Sequence, residues 1–333
     1  MALVMSCWWR GRFFFRIFAK VAVQSEIMSI LLVIPDRKLT HLVAELQQQL
    51  PQVPIVVWPD VPDPNAISFA VVWRQPAGSL TPFNNLRALQ SFGAGVDNIL
   101  VDPLLPKLPL ARIVDPDLTA SMIQYLDTAL GFYRYRFDEY INAQQTQRWH
   151  PRSRRQLKAV TVLGLGELGA AVAMHLSQQG WQVSGWSNSA KHIDGVNCYA
   201  GLAELPLALA EADVLICLLP LTSTTNNLLN SETLAFCRQG VIFINVARGA
   251  IVDDDALLAA LQSGQVSAAC LDVFRQEPLP AEHQYWQQPN VLVTPHISAV
   301  TNAQTAVTQI VENYKRCMAS LPMFNLIDQQ RGY

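Results

Sequence analysis

Residues 159–176, AVTVLGLGELGAAVAMHL, constrain this chain more than any other stretch. An apolar run that reads as a buried strand meets Gly164, Gly166 and Gly169 in a G-x-G-x-x-G array, and an alanine-rich helical pattern follows. Each glycine has its own physical task. Gly164 permits a tight turn, Gly166 lets backbone N–H groups approach a pyrophosphate, and Gly169 lets helix and strand pack closely. The positive end of the helix then faces the phosphates. Methyltransferases and purely structural turns share such glycines, but the order strand, glycine array, helix favours a dinucleotide.

The next strand, WQVSGW, ends near the usual spacing of about 20 residues after the glycines, where a carboxylate commonly accepts the ribose hydroxyls. This chain instead reads GWSNSAK over Gly185–Lys191, with no acid. Ser187, Asn188 and Lys191 offer hydroxyl, amide and ammonium donors that suit a 2′-phosphate, which a carboxylate would repel. The stretch therefore predicts NADP(H), with NAD(H) as the weaker alternative. A loop that tolerates either cofactor is the competing reading.

Around this motif, short apolar runs alternate with amphipathic stretches from Met28 onward. ILLVI, IVVW, FAVVW and ALQSFGAG form a first series of expected strands, and AVTVLGLG, WQVSGW, DVLICLLP, GVIFINVARG, SAACLDVF and VLVTPHIS a second. Between them, VDPLLPKLPLARIVDPDL reads as loop, and one long helix is expected from about Thr119 to Gln147. Two alternating halves imply two α/β units, each with a doubly wound parallel sheet. The first 27 residues, with the cationic and aromatic CWWRGRFFFRIFAK, are too short in apolar length to span a bilayer. They read as an extension outside the fold, with a reversible membrane-surface anchor as the alternative.

A formal net charge of -2 gives no polyelectrolyte bias, which argues against nucleic acid or an anionic membrane as principal partner. The six cysteines lack C-x-x-C spacing, so a metal or disulfide framework is not expected and a cytoplasmic protein is.

Three strand ends carry candidate chemistry. Arg248 emerges from VIFINVARG, where open α/β sheets hold ligands, and a guanidinium there can grip a carboxylate through two parallel hydrogen bonds. Asp272 ends the strand in CLDVFRQEPLP, and Glu277 lies in the loop beyond. His296 directly follows a strand and a proline in VLVTPHIS. Singly these residues read as an ion-pair partner, a solvated acid and a capping group. Together, downstream of a dinucleotide motif, they read as a carboxylate clamp with an acid/base pair.

GLGELG, NVARG, LDVFRQEPLP and TPHIS resemble the D-2-hydroxyacid dehydrogenase family, over about Met28 to Tyr333. The resemblance implies a flavodoxin-like substrate domain of residues 28–117 and 298–333 and a Rossmann NAD(P)-binding domain of residues 118–297, with hinges near 118 and 298. It implies that Arg248 binds the substrate carboxylate, that His296 is the general acid/base and that Glu277 orients the imidazole and favours its charged form. It implies that Trp73, Ala94 and Gly95 shape and receive the substrate. It extends the cofactor set from Gly164, Gly166, Gly169, Ser187, Asn188 and Lys191 to Glu167, Leu168, Leu219, Pro220, Thr225, Val246, Ala247 and Asp272. DPDLTASMIQYLDT departs from related chains and leaves no nicotinamide contact assigned at Met122.

The expected activity is NADPH-preferring reduction of a short 2-keto acid such as glyoxylate or hydroxypyruvate. A dinucleotide-sensing module without turnover and an oxidative enzyme for larger 2-hydroxy acids are the alternatives. The aromatics Phe132, Tyr133, Tyr135, Phe137 and Tyr140 spread too widely for one helix face, which predicts a homodimer covering some of them.

Overall fold

Apolar runs buried on both faces place the strands of two sheets, as parallel sheets covered by helices require. The computed structural model describes residues 28–299 and 303–333. The extension 1–27 therefore lies outside the described residues. The first sheet contains β1 (Ser29–Val33), β2 (Ile55–Val57), β3 (Ile67–Val72), β4 (Ala88–Ser91) and β5 (Leu110–Ala111). Its order is β2-β1-β3-β4-β5 with every pair parallel, the flavodoxin-like arrangement. The second contains β6 (Ala159–Leu163), β7 (Gln182–Ser187), β8 (Val196–Ala200), β9 (Val214–Cys217), β10 (Val241–Asn245), β11 (Val266–Leu271) and β12 (Val291–Val293). Its order, β12-β11-β10-β9-β6-β7-β8, is again all parallel, and the direction of winding reverses between β6 and β9. Both sheets are thus doubly wound.

The helices are α1 (Thr40–Gln49), α2 (Asp97–Leu100), α3 (Pro116–Arg134), α4 (Phe137–Gln145), α5 (Glu167–Gln178), α6 (Gly201–Ala210), α7 (Ser231–Ala235), α8 (Asp254–Ser263) and α9 (Ala303–Met318). Met122, Leu126, Leu130 and Tyr133 of α3 join Val160, Val162 and Ile244 in the core of the second sheet. Ala306, Val307, Ile310 and Tyr314 of α9 return to the first sheet, against Ile30, Phe69 and Val71.

Three expectations are corrected. The single helix from Thr119 to Gln147 is two, because Arg136 adopts a left-handed backbone between α3 and α4. It also begins earlier, at Pro116, since Asp115 caps it by accepting the Asp117 amide and Pro116 fills the first turn. VNCYA forms the edge strand β8 and the expected loop contains the two-residue strand β5, both too short or too exposed to leave a periodic signal. Among the described residues, no helix is long and apolar enough to cross a membrane and no group of metal-ligating side chains assembles.

Candidate active site

Parallel strands send all their carboxyl ends to one edge, so residues far apart in sequence collect there. At the end of β6, Gly164 turns with φ +102, and a Cβ added to it would meet the Leu218 carbonyl oxygen at 2.7 Å. Gly169 lies deeper: a Cβ there would stand 1.6 Å from the Gly164 carbonyl oxygen. Gly166 has nothing within 4 Å of that point. The loop is therefore packed from below and open at Gly166, which caps the N-terminus of α5. Glu167 and Leu168 form that helix's first turn, leaving a cradle that fits a pyrophosphate.

Ser187 is buried at the end of β7 and its hydroxyl donates to the Ser189 carbonyl at 2.8 Å, which shapes the following turn. Asn188, Ser189 and Lys191 are exposed on that turn. Beyond β9, Thr225 donates to the Pro220 carbonyl at 2.6 Å and accepts the Thr222 amide at 2.8 Å, fixing the Leu219–Pro220 corner. Leu219, Val246 and Ala247 are buried beside it.

Arg248 follows β10. Its Nε donates to both carboxylate oxygens of Asp97, each at 3.0 Å, and its Nη1 to the Ala247 carbonyl at 2.6 Å. Its Nη2 occupies the space over Gly95, where an added Cβ would be 1.8 Å away. The guanidinium from the second sheet therefore rests on the Ala94–Gly95 loop of the first. Trp73, at the end of β3, is buried with its ring against Gly93, so it supports that loop from beneath. Gly249 packs onto the Phe274–Arg275 backbone, which brings the Arg248 and Glu277 loops together.

Glu277 and His296 meet: Oε2 lies 2.9 Å from Nδ1. Glu277 Oε1 accepts the Phe274 amide at 3.1 Å. Burial opposes ionisation of Glu277, but the hydrogen bond and charge of His296, the Phe274 amide and the Arg74 guanidinium outweigh it and hold the carboxyl down at about 2. An ionised carboxylate only accepts, so His296 Nδ1 carries a proton and Nε2 is left for other chemistry.

His296 itself has φ +55, a left-handed conformation uncommon outside glycine. Asp272 holds it there. Fully buried, its carboxylate accepts the amides of Ile297 and Ser298, both at 2.9 Å, and the Thr294 hydroxyl at 2.6 Å. Because Thr294 spends its proton on Asp272, the Tyr125 hydroxyl, 2.6 Å away, donates to Thr294. Asp272 thus anchors the His296 loop with both oxygens. Met122 lies buried in the core of the second sheet.

Residues 128–298 match the family described as D-isomer specific 2-hydroxyacid dehydrogenase, NAD binding domain. A relative named glyoxylate/hydroxypyruvate reductase A from Serratia proteamaculans is 40% identical over 299 residues, covering 87% of this chain and 95% of the relative. This chain belongs to the D-isomer specific 2-hydroxyacid dehydrogenase family. A relative of the same name from Yersinia enterocolitica is 38% identical over 86% of this chain and 94% of its own length. Among solved structures, a D-isomer specific 2-hydroxyacid dehydrogenase from Xanthobacter autotrophicus Py2, in complex with NADPH and MES, superposes with a TM-score of 0.87 at 38% identity, covering 92% of this chain and 99% of that one. An NADPH-dependent glyoxylate/hydroxypyruvate reductase from Sinorhizobium meliloti, in complex with NADP and sulfate, gives 0.84 at 30% identity, covering 92% and 100%.

Two charged residues of this 2-hydroxyacid dehydrogenase, Asp97 and Arg74, join the site without any motif to mark them. Asp97, two residues beyond Gly95 at the start of α2, has no local pattern to distinguish it from an ordinary helix-start acid. Arg74 follows Trp73, and its Nη2 reaches Glu277 Oε2 at 2.8 Å across the seam between the sheets. Both partners are more than 150 positions away, so no spacing rule reveals them.

Proposed function

We propose that this dehydrogenase reduces short 2-keto acids, glyoxylate and hydroxypyruvate foremost, to glycolate and D-glycerate, and that it prefers NADPH to NADH. The observation that carries this reading is the 2.9 Å contact of Glu277 with His296 Nδ1, which leaves Nε2 to deliver a proton. The cradle at Gly164, Gly166 and Gly169 holds the pyrophosphate, and Asn188, Ser189 and Lys191 on their exposed turn hold the 2′-phosphate. NADPH, when bound, supplies the hydride. Arg248 and the amides at Ala94 and Gly95 bind the substrate carboxylate, and the guanidinium meets the charge that develops on the keto oxygen. His296 gives the Nε2 proton to that oxygen, and Glu277 stabilises the imidazolium beforehand.

The relatives named glyoxylate/hydroxypyruvate reductase and the NADPH- and NADP-bound structures support the substrate and cofactor. We further propose that residues 28–117 with 298–333 and residues 118–297 act as two domains that close on the substrate, and that the chain forms a twofold homodimer.

A steady-state panel of glyoxylate, hydroxypyruvate and longer 2-keto acids with NADPH and NADH tests the proposal. Higher kcat/KM with NADH overturns the cofactor preference. Absence of turnover with every keto acid, while NADPH binds, replaces the enzyme with a dinucleotide-sensing module. His296→Ala is expected to lower kcat by roughly two to four orders of magnitude with cofactor binding retained, and near-wild-type kcat removes the histidine from the mechanism.

A further inference from the structure

We infer that Arg74 is a positioning residue that shares the Glu277 carboxylate with His296 and so sets how readily the imidazolium releases its proton. The inference rests on His296 being the proton donor. Glu277 Oε2 lies 2.8 Å from Arg74 Nη2 and 2.9 Å from His296 Nδ1, so a single carboxylate oxygen serves two cationic groups. They approach from different sheets. Arg74 leaves β3 with φ +48 and His296 leaves β12 with φ +55. Non-glycine residues seldom adopt such a backbone, and it persists where surrounding contacts enforce it. The Arg74 amide donates to Asn98 Oδ1 at 3.3 Å.

Among the other charges near this pair, Arg37 lies over the Trp73 and Phe92 rings, 5.9 and 5.5 Å from their centroids, and Arg275 pairs with Asp254 at 3.4 Å. Asp36 of the β1 loop lies 3.8 Å from Arg74 Nη1, and both side chains are well exposed, so solvent screens that pair. Arg248 is engaged by Asp97 of α2. Asp272 at the end of β11 gives its oxygens to Thr294 and to the Ile297 and Ser298 amides. Glu277 therefore favours the imidazolium, and Arg74 opposes it, by direct repulsion and by drawing on the same oxygen. Arg74 belongs to the first sheet, whereas Glu277 and His296 belong to the second, so the acid reaches its full strength only where the two sheets meet at this seam.

The test is an NMR titration of the His296 imidazole in the full-length protein, alongside the kcat–pH profile for glyoxylate with NADPH. Arg74→Met is expected to move the His296 titration midpoint, and the falling limb of kcat, to higher pH by about half a pH unit or more. Arg74→Gln, which keeps a donor without the charge, gives the same displacement if charge is the cause, and Arg74→Lys restores most of the wild-type behaviour. Glu277→Gln moves both readouts the opposite way. A midpoint in Arg74→Met and Arg74→Gln equal to that of the wild type overturns the inference. The NMR midpoint needs no turnover, so this failure is distinct from that of the donor assignment, which would show as near-wild-type kcat in His296→Ala.

Discussion

A carboxylate that stays ionised beside an imidazole fixes which ring nitrogen is available, and Glu277 does this for His296. Its carboxyl is depressed from 4.5 to about 2, so its interactions stabilise the fold fully above about pH 4.5 and lose that contribution as the pH falls towards 2. Glu277→Gln should therefore have a lower Tm than the wild type at pH 7, and the difference should shrink steadily between pH 4.5 and 2 in a melting series. A constant difference would show that the charge is not the cause. At the other end of the site, Ser187→Asp should shift the ratio of kcat/KM for NADPH over NADH towards NADH, because a carboxylate repels the 2′-phosphate. An unchanged ratio would mean that Asn188, Ser189 and Lys191 set the preference without position 187. Arg248 and His296 were legible because each closely follows a strand, and Glu277 because it lies in the loop just beyond one. Asp97 and Arg74 were not, since their partners come from the opposite sheet.

At the scale of the elements, the three glycines of the β6–α5 turn separate folding from binding. A Cβ at Gly169 would overlap the Gly164 carbonyl, so Gly169→Ala must push α5 off the sheet and is expected to cost about 1–3 kcal/mol of stability, read as a lower Tm. Gly166 faces open space, so Gly166→Ala should melt near the wild-type temperature yet bind NADPH more weakly in a fluorescence titration. Equal losses of Tm in both variants would contradict this division. The break between α3 and α4 shows what periodicity misses. Tyr133 faces inward and donates to the Ala269 carbonyl at 2.8 Å, and Arg155 then grips Asp138 with both nitrogens at 2.8 Å. These contacts, made by β11 and by the segment before β6, turn the chain at Arg136 where the sequence alone reads on as helix.

At the scale of the whole molecule, that turn leaves apolar surface uncovered. Tyr135 and Phe137 are each about half exposed and stack with ring centroids 6.4 Å apart, Ile141 is similarly exposed, and Trp149 is 97% exposed. The five aromatics expected to be too widely spread for one face thus divide: Tyr133 is buried within its own unit, whereas Tyr135 and Phe137 stay exposed. Sedimentation at micromolar concentration is expected to show a dimer, and Tyr135→Glu combined with Phe137→Glu a monomer. A monomeric wild type would refute the homodimer.

The sequence by itself determined the two parallel α/β units, the glycine cradle, the acid-free turn at Ser187, and Arg248, Glu277 and His296 at or just beyond strand ends. Those features are local: a buried strand, a tight turn and a strand terminus are each written within about ten residues. Only the tertiary structure decided that Arg248 rests on Gly95 and pairs with Asp97, that Asp272 spends its carboxylate on the His296 loop, and that Arg74 joins Glu277. Such pairings depend on how two separately wound sheets face each other, and the contacts that fix that orientation are spread across the chain rather than recorded at any one place in it.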